Sequence, residues 1–179
     1  MKKSLFVVGL ISTIAIVTTA FLLDIRFERN VGGHLKLAAD ANSVELAEQR
    51  LERAIQGMDH LRLCNNFEQK DVECFTSVVY NTPDEDVAYW RTNLDKTLED
   101  LREVPENADH LTVSNTLLKV RETLLDSGNE GEKVTVPHGI SRYPHNFLFG
   151  LGTILSVLIS LIGLGFDALR LILKSIFVD

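Results

Sequence analysis

Two stretches of the chain carry no charged side chain: Ser4 to Leu23 and Phe147 to Phe166, 20 residues each. A helix rises about 1.5 Å per residue, so each stretch covers about 30 Å, the hydrocarbon depth of a bilayer. The pattern predicts two transmembrane helices. A core helix that is apolar all round would need other elements to cover it, and this chain has too few. Between the two runs, apolar residues return every third or fourth position, which predicts amphipathic helices.

The first of these spans Leu35 to about Leu63, with Leu37, Ala41, Val44, Ala47, Leu51, Ile55, Met58 and Leu61 on one stripe. Gly32-Gly33 marks its upstream boundary. Such spacing suits either a coiled coil or an ordinary bundle. Asn65-Asn66 and Glu68 to Glu73 read as loop, and Phe75 to Tyr80 as a short strand of β-branched and aromatic residues. A capping box follows. Thr82 is the cap, Pro83 occupies the first helical position, and Glu85 reaches back to the cap's N–H. It opens a second helix to about Val104, with Val87, Trp90, Leu94, Leu98, Leu101 and Val104 inward, and Pro105 ends it. A third helix runs from about Ala108 to Leu125 and stops at Ser127-Gly128. Lys133 to Val136 is a candidate strand to pair with Phe75 to Tyr80. The fold class expected is mainly α: two transmembrane helices flanking an antiparallel three-helix soluble domain, with at most a short two-stranded ribbon. The domain order is an anchor over 1–23, a helical domain over 24–146, a second span over 147–168 and an amphipathic tail over 169–179.

Met1-Lys2-Lys3 before an apolar run resembles a signal peptide, with Thr18-Thr19-Ala20 as a cleavage site. The run continues through Phe21-Leu22-Leu23, which favours an uncleaved signal anchor. Beyond the second run, Asp167, Arg170 and Lys174 share one helical face. This fits an interfacial helix, or a longer tilted span with snorkelling charges. Gly152, Ser156 and Ser160 form a stripe of small residues that admits a close helix neighbour. Gly9, Ser12 and Thr13 offer the same on the first span, so pairing within one chain and between chains both remain open.

Charge sharpens this division. Asp24 to Asn146 holds 14 Lys/Arg and 23 Asp/Glu, a net of −9, within a chain of net −7. That excludes a nucleic-acid binder relying on a basic face. Lys and Arg flank the spans on both sides, so the positive-inside rule does not orient the chain. The signal-like start and the two cysteines favour termini in the cytoplasm and the middle outside, at the cell's inner membrane.

Chemistry is sparse. Cys64 and Cys74 are separated by nine intervening residues, either as a disulfide closing a polar loop or as two free thiols. His60 and Cys64 are four apart, but zinc needs three or four ligands. Asp84-Glu85-Asp86 suits a helix start better than calcium. There is no Gly-rich phosphate loop, nucleophile elbow or His-Glu-x-x-His. No catalytic residue, cofactor or metal ligand is expected. Trp90 reads as a core residue, with a partner anchor as the alternative.

Leu35 to Ala47, Thr76 to Pro83 and Arg121 to Leu125 resemble segments of small bacterial membrane-anchored proteins of no assigned function. The resemblance implies a recurring module with an external helical domain and carries no catalytic residues. The expected function is a non-catalytic, membrane-anchored helical module for protein–protein interaction or membrane assembly. Its expected partners are the lipid bilayer and a protein or a second copy. The alternative is an extracytoplasmic sensor acting through a separate signalling partner. A pore component is disfavoured, because the spans lack charged residues.

Overall fold

The computed structural model describes residues 2–61, 64–65, 73–74, 86–128, 131–137, 139–142 and 145–177, with side chains over 4–61, 86–126, 131–137, 139–142 and 145–165. The chain divides into two compact units, Met1–Leu23 with His145–Asp179, and Asp24–Pro144.

The first unit holds the apolar parts of helix α1 (Lys2–Phe27) and helix α6 (Asn146–Phe177). Both are long and apolar enough to cross a membrane. Their large side chains are mostly exposed, Ile11, Ile14, Phe21, Ile154 and Leu161 among them. Such a surface is stable in hydrocarbon and costly in water. Helix α6 does not end with its apolar run. It continues through the charged positions to Phe177, so the expected separate tail is part of the same helix.

The second unit is a helical bundle. Glu28–Gly32 forms a π-helical turn, which leads directly into α2 (Gly33–Ala39). The chain breaks at Asp40 to Ser43 and returns as α3 (Val44–His60). The sequence pattern runs one helix through this point. Ser43 instead caps α3 by accepting the Leu46 backbone N–H at 3.3 Å. The break changes which face is inward. Val31, Leu35, Ala38 and Ala39 are buried before it, and Ala47, Leu51, Ala54, Ile55 and Met58 after it. Leu37, expected on the stripe, is therefore exposed. Gly32-Gly33 is no boundary, since the backbone stays helical across it.

Helix α4 (Val87–Arg102) opens on Asp86, whose side chain accepts the Tyr89 N–H at 2.9 Å. This corrects the expected start. Thr82, Pro83 and Glu85 lie outside the described residues, and the cap observed on α4 is Asp86. Val87, Trp90, Leu94, Leu98 and Leu101 are buried as the stripe predicts. Helix α5 (His110–Leu124) is capped by Asp109, which accepts from the Thr112 N–H at 2.7 Å. Helices α3, α4 and α5 pack as an antiparallel bundle around one core, with α2 laid along α3 and α5.

Two ribbons complete the unit. Strands β1 (Cys64–Asn65) and β2 (Glu73–Cys74) pair antiparallel. Strands β3 (Leu125–Gly128) and β4 (Gly131–Val134) form a hairpin in the register Leu125 with Val134 and Asp126 with Lys133. The partner of β4 is thus the segment just after α5. Phe75 to Tyr80, the partner expected from sequence, lies outside the described residues. Local pairing closes a much shorter loop than a pairing with Phe75 would. Trp90 ties the hairpin to α4, its Nε1 donating to the Thr135 carbonyl at 3.0 Å.

Candidate functional site

Helix α5 contributes the least to the core. Only Val120 and Leu124 of its 15 residues are buried. Leu111 is 68% exposed and Leu118 54%. They are seven apart, two turns along one face. The bundle does not cover them.

The interior of the α3–α4 interface holds charge. Arg91 is 1% exposed, and its Nη1 lies 3.2 Å from Asp95 Oδ1, one turn on. Asp59 on α3 also acts on it. Burial pushes the Asp59 carboxyl above its ordinary range, and the Arg91 charge offsets this in part. Asp95 is raised by burial too, against the attraction and hydrogen bond of Arg91. Burial lowers Arg91, opposed by Asp95 and Asp59. An arginine stays charged in proteins, so the group is an ionised guanidinium beside two carboxylates that resist ionisation. Arg91 is not among the residues that the sequence pattern singles out. Its signal is positional, because it borders the stripe at three before Leu94 and seven before Leu98.

A cleft of about 500 Å³ opens beside the hairpin, lined by Asp86, Tyr89, Trp90, Asn93, Asp126 and Val136 among others. Trp90 itself is 8% exposed with its N–H bonded, which makes it a core residue and ends the anchor reading. Close by, Asp24 accepts from Arg142 Nη2 at 2.8 Å and from the Ser141 hydroxyl.

Cys64 and Cys74 face each other across the β1–β2 register. Directly opposed antiparallel residues have Cα atoms about 4.5–5.5 Å apart, within the range that a disulfide spans. Among the described residues, no group of three His, Cys, Asp or Glu could hold a metal ion.

Gly152, Ser156 and Ser160 all lie against α1. A Cβ on Gly9 would come 2.5 Å from Ser160 Oγ and 2.8 Å from Ser160 N. One on Gly152 would meet Ile16 Cδ1 at 3.3 Å. The small-residue stripe is thus occupied within the chain, with Gly163 close against Phe6 one turn further on. No family model, curated protein or solved structure matches this chain.

Proposed function

We propose that this is a membrane-anchored, non-catalytic module that binds a protein partner through the outer face of α5. The observation that carries this reading is the pair Leu111 and Leu118, the most exposed aliphatic side chains among the described residues of this unit. Exposed apolar surface of this kind suits an interface centre. In this reading the chain is a two-pass protein of a bacterial inner membrane, with both termini in the cytoplasm and residues 24–146 outside. The test is co-purification from native membranes in mild detergent, comparing the wild type with L111D/L118D. A specific partner present with the wild type and lost with the variant supports the proposal. The same partners with both, or none with either, overturns it.

The cleft beside Trp90 favours a second reading, an extracytoplasmic sensor that signals through a separate protein. Its volume lies in the range of small-molecule sites. A sensor would lose response when Tyr89 is changed to Ala, whereas an assembly module would keep its partner.

A further inference from the structure

Helix α3 is two-sided in charge. Glu48 and Glu52 face α4, where Arg102 meets them at 2.8 and 3.3 Å. Arg50 and Arg53 lie three and four residues apart in series with Gly57, on the same face of α3. The register between the two helices is fixed by Gly57, whose missing Cβ leaves room for the Asn30 carbonyl. Counting four back from Gly57 and four on from Asn30 sets Arg53 opposite His34, with Arg50 about one turn further, opposite Leu37. Arg50 and Arg53 are the charged groups that act on the His34 ring, and no carboxylate offsets them there.

Of the other described arginines of this unit, four find acids, and the exposed Arg26 and Arg29 do not. Arg91 has Asp95, Arg102 has Glu48 and Glu52, Arg121 has Asp40 and Glu132, and Arg142 has Asp24. Acids are in excess across the segment, 23 against 14 bases. Yet neither Arg50 nor Arg53 makes an ion pair or a side-chain hydrogen bond with any described residue. His34 has no hydrogen bond either, and its Nδ1 is buried without a partner. No bond fixes the ring's tautomer, so a donor at Nε2 is available to a ligand. Two guanidinium charges three residues apart on one helix, with no acid paired to them among the described residues, repel each other unless an anion joins them.

We propose that His34, Arg50 and Arg53 form a binding site for a phosphate group. Two guanidinium forks match phosphate oxygens in bidentate fashion, and an imidazole N–H supplies a further donor. The phosphate comes either from a phospholipid headgroup or from a free phosphorylated solute. The site is separate from the α5 face, so each can fail while the other stands.

The test uses the full chain in a neutral detergent. Thermal unfolding is followed against rising inorganic phosphate, with chloride at matched ionic strength as control. In a second arm the chain is reconstituted with phosphatidylcholine and phosphatidylglycerol, re-extracted, and its retained lipid identified by mass. R50Q/R53Q is compared throughout, with R53Q alone as the milder change at an exposed position. Phosphate should raise the unfolding temperature of the wild type more than chloride does. Each arginine removed should weaken the apparent affinity about ten-fold or more, as loss of a charge-assisted bond implies. R50K/R53K, which keeps charge without the fork, should recover only part. A phosphate effect marks a solute site. Selective retention of phosphatidylglycerol, lost in the variant, marks a headgroup site. If neither arm separates wild type from R50Q/R53Q and R53Q, the site does not exist.

Discussion

The hydroxyl oxygens of Thr13 on α1 and Ser156 on α6 lie 2.9 Å apart. Each also reaches a carbonyl of its own helix at 2.9 Å, Thr13 that of Gly9 and Ser156 that of Thr153. Two protons serve three contacts, so one hydroxyl accepts while it donates. In a bilayer, no water competes for these groups. Ser156 is buried, as is Gly9 one turn from Thr13. The pair links two helices at opposite ends of the sequence.

Ser156→Ala should therefore weaken the helix pair by about 0.6 kcal/mol, the average for such bonds between membrane helices. Gly9→Ala should do more, because its Cβ meets backbone at Ser160 N. T13C/S156C should form an intrachain disulfide in membranes under oxidation. A cross-link found only between two chains would overturn the pairing.

Topology is tested with a reporter active only in the cytoplasm. Fused after Asp179 it should be active, and inserted at Gly128 in the β3–β4 hairpin it should be silent. The reverse pattern would invert the proposed orientation, and activity at both sites would remove one span.

Cys64 and Cys74 should be bonded in the native protein, given their opposed register. Alkylation of unreduced, denatured chain should label neither thiol. By loop-closure entropy the bond contributes about 2–3 kcal/mol, so reduction should lower the unfolding midpoint accordingly. Labelling of both cysteines would refute the bond and undercut the external placement of the domain.

Gly57 is a test of how α3 meets the π-helical turn. A Cβ there would sit 2.0 Å from the Asn30 carbonyl oxygen and 2.8 Å from its carbon. In an isolated helix Gly→Ala is favourable by about 1 kcal/mol. Here the clash is with backbone that cannot swing aside, and Gly57→Ala should cost about 1–3 kcal/mol. The sign of the change in urea unfolding decides the matter.

Asp59 gives a prediction in pH. Burial holds the Asp59 and Asp95 carboxyls above their unfolded value of 3.8. The folded state then binds more protons than the unfolded state as pH rises past 3.8, and stability falls across that window. The stabilising share is complete below 3.8 and is lost through the raised range. Asp59→Asn removes one ionising group while keeping its shape. The variant should show a shallower loss and be more stable than wild type near neutrality. A variant less stable than wild type at about pH 7 would mean that attraction to Arg91 outweighs burial.

Much of this was legible in the sequence where a single period decides the outcome. Val87, Trp90, Leu94, Leu98 and Leu101 follow one helical stripe, and the bundle buries all five. Both apolar runs are legible by length alone. The break at Asp40 to Ser43 was not, because Ala41 and Val44 carry the apolar spacing across it while Asn42 and Ser43 stop the backbone locally. The start of α4 was misplaced for a related reason. The chain offers two acidic or hydroxyl caps within five residues, Thr82 and Asp86, and propensity does not choose between them. The β3–β4 pairing depends on which strand is nearest, which no period reveals. The proposed phosphate site draws on α2 and α3 across the break at Asp40 to Ser43, where the apolar spacing alone predicts continuous helix.

The pairing of α1 with α6 sets a schedule for synthesis. The whole stretch from Asp24 to His145 is translated between them. At about 5–20 residues per second, this takes on the order of ten seconds. For that interval Gly9 and Thr13 belong to a solitary helix, its hydroxyl and its closest-approach face uncovered. Any other small-residue helix passing through the same bilayer can occupy that face first. The rightful partner arrives last and wins by displacement, so early encounters must be weak enough to dissolve.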